Sequence, residues 1–138
     1  MASYIFSEIK ESDKRAQRQL HTLLAHAGIV PEHAADFTLG VFDEDYNLVA
    51  TGSTYENHFH SLAVDAAHRG KGLLSQVLSY LYELQFNLGN HELYLKASRD
   101  LIPMFNSFGF REIAPAGKDE VYMGNLKAFM NQETALSA

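Results

Sequence analysis

The sequence predicts one domain, residues 1–138, of the α/β (α+β) class, with about seven strands and flanking helices in the order β-α-α-β-β-β-α-β-α-β-β. Three observations predict it. A β-prone run at His58–Val64 passes through a glycine-bracketed loop into a long amphipathic helix. Two β-prone runs before it flank a turn. A second run at His91–Lys96 leads through a short helix and a glycine into another strand.

The elements follow in order. Tyr4–Ile9 reads as a first strand. Residues of about 13–27 carry Leu20, Leu23, Leu24 and Ala27 on one helical face, and Gly28 stops the helix. Pro31 begins a short irregular or helical piece. Phe37–Phe42 and Leu48–Thr54 pair as a hairpin around Asp43-Glu44-Asp45-Tyr46-Asn47. From Leu73, apolar residues recur at Leu74, Val77, Leu78, Leu81, Leu84 and Leu88, and Gly89-Asn90 ends that helix. Asp100 is placed to cap the next helix, with Pro103 in its first turn. That helix ends at Gly109, and strands follow at Phe110–Ile113 and Glu120–Gly124. The tail after about Asn131 reads as frayed.

Composition narrows the function classes. Hydrophobic content of 46% and charged content of 20% suit an ordinary soluble domain, and no apolar run approaches a membrane span. The N-terminus lacks the regions of a signal peptide. The absence of cysteine excludes disulfides, thiolate metal sites and a cysteine nucleophile, and fits a cytoplasmic protein. A net charge of −6 with no basic stripe argues against nucleic acid as a partner. A cationic or neutral amine approaches such a surface without penalty.

The chemistry concentrates at Arg69-Gly70-Lys71-Gly72-Leu73-Leu74. Gly70 and Gly72 can take φ > 0 cheaply, which lets backbone N–H groups converge at the start of the helix. Those donors and the helix dipole suit a diphosphate, with Arg69 and Lys71 adding charge. The spacing is neither the three-glycine dinucleotide fingerprint nor a P-loop, because no Lys-Ser or Lys-Thr pair opens the helix. It resembles the Arg/Gln-x-x-Gly-x-Gly/Ala signature of the GNAT superfamily of N-acetyltransferases. Leu74 stands where that family usually has a small residue. Phe105-Asn106-Ser107-Phe108-Gly109-Phe110 resembles the family's helix, Gly-Phe, strand signature. Leu48–Ser53, Leu62-Ala63-Val64, Phe108–Ile113 and Tyr122–Asn125 are similar to the N-terminal domain of the citrate lyase ligase branch, well over about residues 36–130. The resemblance implies a mixed central sheet and an acyl-CoA module, free-standing or cut from a longer protein, without the branch's nucleotidyltransferase domain.

The same resemblance implies acetyl-CoA as co-substrate. Its pantetheine arm would pair with the backbone of Leu62, Ala63 and Val64 as an added strand, and its pyrophosphate would lie on Arg69, Gly70, Lys71, Gly72, Leu73 and Leu74. Ser98 and Arg99 follow the next strand and could touch the pantetheine or the adenine-phosphate end, although Arg99 also suits a solvated surface. A backbone N–H near Leu62–Val64 would face the thioester carbonyl.

Strand alternation sets His58, His60, Leu62 and Val64 on one face and Phe59, Ser61 and Ala63 on the other. His58 falls where several GNAT enzymes place a catalytic glutamate. His58 and His60 are therefore candidate bases, since imidazole titrates near neutrality. The plainer alternative is a hydrogen-bonded strand histidine. Glu56 is a further candidate that also suits a solvated loop. Phe105 occupies the position of the family's usual proton-donating tyrosine, leaving Tyr122, Tyr94 or water for that step. A metal site on His58 and His60 with His68 or Glu56 lacks tight ligand spacing, and no metal is expected. Tyr55, Phe59, Tyr80, Tyr82, Phe86 and Phe129 are candidates for an acceptor pocket, although sixteen aromatic residues must largely be buried.

The expected activity is transfer of an acetyl or short acyl group to a primary amine, on a small molecule or a protein. A second copy of the chain is a further expected partner, as a homodimer. The alternative is a non-catalytic acyl-CoA-binding or regulatory module, which Leu74 and Phe105 favour.

Overall fold

A computed structural model describes residues 3–125; Phe129 and the tail after Asn131 lie outside the described residues. Seven strands form one mixed sheet, ordered β1-β2-β3-β4-β5-β7-β6. They are β1 (Ile5–Glu8), β2 (Phe37–Phe42), β3 (Leu48–Tyr55), β4 (His58–Val64), β5 (Tyr94–Ser98), β6 (Phe110–Pro115) and β7 (Glu120–Asn125). The helices are α1 (Lys14–His26), α2 (Leu73–Asn87) and α3 (Ile102–Ser107). The expected α/β class and strand count therefore hold. The segment 29–36 is irregular rather than a second helix: Asp36 donates its N–H to the Thr54 carbonyl at 2.7 Å, which draws the chain onto the sheet. Among the described residues no helix is long and apolar enough to cross a membrane.

Contacts divide the chain into two compact units. The first holds residues up to Glu56 and His60–Leu84. Here β1 pairs antiparallel with β2, and β2 with β3. Asp13 caps α1 by accepting the Ala16 N–H at 3.1 Å. Ala16, Leu23 and Leu24 of that helix pack with Ile9, Leu48 and Ala63. The buried hydroxyls of β2 and β3 are satisfied: Thr51 donates to the Leu39 carbonyl, and Thr38 bonds Ser53. The turn between these strands is held by Asp43. Its carboxylate accepts the backbone N–H groups of Asn47 and Asp45, which, with the Asn47 bond foremost, lowers its pKa.

Gly52 of β3 lets α2 settle: a Cβ there would lie 2.7 Å from both Leu62 Cδ2 and Val77 Cγ1, and 2.9 Å from Leu81 Cδ1. The buried stripe of α2 runs Leu73, Val77, Leu78, Leu81 and Gln85. Leu88, expected on the buried face, is 66% exposed, because the chain turns out of the helix at Gly89 (φ +86).

The second unit comprises 57–59 and the chain from Gln85 onward. The parallel ladder of β4 with β5 is His58↔Tyr94 and Phe59↔Leu95. β7 lies antiparallel to both β5 and β6. Phe59, Phe105 and Phe110 form its aromatic core by edge contacts of 6.0 and 6.4 Å. β5 starts at Tyr94 rather than His91, because the Asn125 side chain takes the place of a ladder: it accepts from the Leu93 N–H and donates to the His91 carbonyl. Asp100 does not cap α3. It lies within a 3-10 turn, Arg99–Leu101, that runs straight into the helix behind Leu101.

Candidate acyl-CoA site

The site is built on the strand, loop and helix of the first unit. Along β4 the burial alternates as the sequence predicts, with Phe59, Ser61 and Ala63 buried and His60, Leu62 and Val64 half-buried. The regular strand is interrupted at Ser61, whose φ is +55, an uncommon value for a residue with a side chain. It sits just past the last residue that β4 pairs with β5, Phe59.

Past Val64 the chain enters the loop through a set of local bonds. The Asp65 N–H reaches the Val49 carbonyl at 2.8 Å, and its carboxylate accepts the Ala67 N–H at 3.2 Å. This forms a single 3-10 turn, Ala66–His68. Tyr4 Oη bonds His68 Nδ1 at 3.0 Å and ties the N-terminal segment to the turn. The Arg69 Nε–H folds back to the Val64 carbonyl at 3.3 Å.

Then come the two glycines. Gly70 has φ +78 and Gly72 φ +76, and a Cβ at either would meet nothing within 4 Å. Backbone conformation, not crowding, demands glycine here. The Gly72 carbonyl accepts the Gln76 N–H at 3.1 Å, so Gly72 holds the position where a capping side chain would stand. Having none, it leaves the first-turn N–H groups of α2 without a cap from that position, beside open space. This arrangement fits a bound diphosphate. Arg69 and Lys71 are exposed around it, Leu73 is buried and Leu74 half-buried.

A model of the acetyltransferase (GNAT) family matches residues 4–110. The chain belongs to that family. The match covers both the glycine turn and the strand before it, and the family supports acyl transfer in general. Two curated relatives are citrate (pro-3S)-lyase ligases. That of Klebsiella pneumoniae is 33% identical over 92 residues, 66% of this chain and 27% of its own length. That of Haemophilus influenzae is 23% identical over 131 residues, 95% of this chain and 39% of its own. The chain thus spans only about a quarter to two fifths of these relatives. Among solved structures, an acyl-CoA N-acyltransferase from Pseudomonas aeruginosa superposes with a TM-score of 0.70 at 16% identity, covering 91% of this chain and 99% of that one. The ribosomal-protein-S18-alanine N-acetyltransferase of Escherichia coli gives 0.66 at 16%, covering 89% and 93%. These likenesses establish the fold.

The remaining candidates divide between the units. In the first, His60 Nδ1 lies 2.9 Å from the buried Ser61 hydroxyl. Glu56 forms the β3–β4 turn at φ +53 and donates its N–H to Asp36 Oδ2 at 2.6 Å. Tyr80 stacks on Phe37. In the second, His58 is exposed and its ring lies on Tyr94, centroids 5.5 Å apart. The Tyr94 hydroxyl donates to Glu92 Oε1 at 2.5 Å. Burial foremost, then the Glu92 hydrogen bond and charge, push its pKa up to about 12, so Tyr94 holds its proton. Tyr122 is 48% exposed on β7, and Ser98 ends β5 half-buried. Arg99 pairs with Glu112 at 3.8 Å in solvent. Phe105, 1% exposed, is a core residue. Among the described residues no group of three His, Asp or Glu is arranged to hold a metal.

One neighbour was not legible in the sequence. His33, in the irregular 29–36 segment, stacks on Tyr55 and packs edge-on to His60. A lone histidine in a loop carries no signal, and the packing follows only from how the segment is tied to β3.

Proposed function

We propose that the protein transfers an acetyl or short acyl group from acyl-CoA to a primary amine by direct attack. The observation that carries this reading is the pair of left-handed glycines opening α2 beside unobstructed space. Residues 69–74 would hold the pyrophosphate through backbone N–H groups, and the backbone of Leu62, Ala63 and Val64 would align the pantetheine arm. Bound acyl-CoA supplies an activated thioester carbonyl. A β4 N–H directed at that oxygen would stabilise developing negative charge.

We assign proton removal from the incoming ammonium to His60 in preference to His58. The Ser61 hydroxyl fixes one nitrogen of His60, whereas the His58 ring is exposed and laid on Tyr94. We assign the return of a proton to the departing thiolate to water, since Phe105 has no proton to give and Tyr94 is held protonated against Glu92. The reading takes acetyl-CoA as co-substrate, a small-molecule or protein amine as acceptor, and the cytoplasm as location.

A second reading, a non-catalytic acyl-CoA-binding module, is favoured by the buried phenyl ring of Phe105, which has no proton to give. Two measurements separate them. Calorimetric titration with acetyl-CoA should show micromolar binding that Gly72→Glu abolishes; no binding by the wild type overturns both readings. Release of CoA with a panel of amines then marks the enzyme, and binding without release marks the module.

A further inference from the structure

We propose that Tyr4 and His68 are positioning residues for the glycine loop. Their hydrogen bond holds residues 69–72 in the conformation that receives a diphosphate, a role that rests on the reading of residues 69–74 as the pyrophosphate site. Most bonds of this stretch are local. The Asp65 carbonyl accepts the His68 N–H at 2.9 Å, the Ala66 carbonyl accepts the Arg69 N–H at a long 3.5 Å, and the Arg69 side chain turns back to Val64. The next bond is that of the Gly72 carbonyl with Gln76, inside the first turn of α2. Among the described residues, the one hydrogen bond that reaches residues 66–72 from a distant part of the chain comes from Tyr4, whose Oη lies 3.0 Å from His68 Nδ1.

Tyr4 is held on both sides. Ser3 before it donates its N–H to Glu44 Oε1 at 3.3 Å, and Ile5 after it opens the ladder with β2 opposite Phe42. The Tyr4 ring also meets the His68 ring edge-on, with centroids 5.8 Å apart and planes at 76°. Both side chains are half-buried, whereas Arg69, Gly70, Lys71 and Gly72 are exposed. A phenol hydroxyl can donate to a bare ring nitrogen or accept from a protonated one, so the tie does not depend on the tautomer. The loop needs such a tie because glycine loses more freedom on ordering than any other residue. Open space beside Gly70 and Gly72 offers no packing to hold them. A site that takes its receptive form only part of the time loses apparent affinity by that fraction.

The test is calorimetric titration of the full chain with acetyl-CoA in Tyr4→Phe, His68→Ala, the double variant and His68→Asn. Losing one net hydrogen bond should weaken binding about two- to tenfold in Tyr4→Phe. His68→Ala should lose at least as much, and adding Tyr4→Phe to it should weaken binding no further, since the two side chains act through one bond. His68→Asn should keep most of the affinity, because its amide puts an oxygen or an N–H close to the place of Nδ1. In the free protein, ¹⁵N relaxation of the Gly70, Lys71 and Gly72 amides should show added motion in Tyr4→Phe and not in His68→Asn. On an amine that the wild type acetylates, Tyr4→Phe should raise KM for acetyl-CoA with kcat unchanged. A loss of less than twofold in Tyr4→Phe overturns the proposal, as do additive losses in the double variant or weakened binding with loop relaxation unchanged. If the wild type binds no acetyl-CoA, the pyrophosphate reading itself fails, a result distinct from wild-type binding that Tyr4→Phe leaves intact.

Discussion

Replacing Gly72 by alanine separates the strain of a left-handed residue from the loss of a binding surface. At φ +76 with open space around the new Cβ, the methyl group meets no neighbour, so the cost is backbone strain of about 1–2 kcal/mol. For 138 residues at about 2.1 cal/mol/K each, the unfolding entropy is about 290 cal/mol/K, and melting should fall by about 3–7 °C. Gly28, after α1, has nearly the same geometry, φ +70 with nothing within 4 Å, so Gly28→Ala should cost the same stability. The two should part in ligand binding. If the loop relaxes away from positive φ, at least one charge-assisted N–H bond to the pyrophosphate is lost, about 1.5–3 kcal/mol. That weakens acetyl-CoA about ten- to a hundredfold. Thermal melts and calorimetric titration on both variants read the two effects. Acetyl-CoA affinity within twofold of wild type in Gly72→Ala, or an equal loss in Gly28→Ala, would refute the assignment of residues 69–74.

Three further outcomes follow from the packing and the titrating groups. Gly52→Ala forces a methyl group to within 2.7 Å of Leu62 and Val77, which should destabilise by about 1–3 kcal/mol and lower the melting temperature by about 3–10 °C. Ultraviolet absorbance titration should show one late phenol near pH 12, missing in Tyr94→Phe. Because the folded pKa of Tyr94 is raised, its contribution to stability is complete below about pH 10 and is lost as pH climbs towards 12, which alkaline melts of the two proteins would resolve. His60→Gln should lower kcat at least tenfold with acetyl-CoA binding intact, and His58→Ala should have the smaller effect; the reverse order would move the base to His58.

Much of this architecture is legible in the chain because single residue types dictate it. The left-handed glycines at 70 and 72, the stop of α1 at Gly28 and the alternation of β4 all stem from local rules of backbone and burial. Where distant partners intervene, local reading stops. Asn125 delays β5 by binding residues more than thirty positions away, and Thr54 draws the 29–36 segment into an irregular path. Asp100 has a capping side chain but sits inside a 3-10 turn. In the site, the glycine loop was legible and the His33–Tyr55–His60 packing was not, since that contact joins three segments through tertiary ties alone.

The left-handed serine of β4 couples backbone strain to a side-chain bond. Glycine at position 61 would relax a conformation that costs an L-residue about 1–2 kcal/mol. It would also remove the buried hydroxyl bonded to His60, a loss of about 1–3 kcal/mol. The two effects oppose each other, so Ser61→Gly should melt near or somewhat below the wild type while the His60 ring loses its partner. A screen on heat alone would pass such a variant as nearly neutral, and only a readout of the histidine itself would show what had changed.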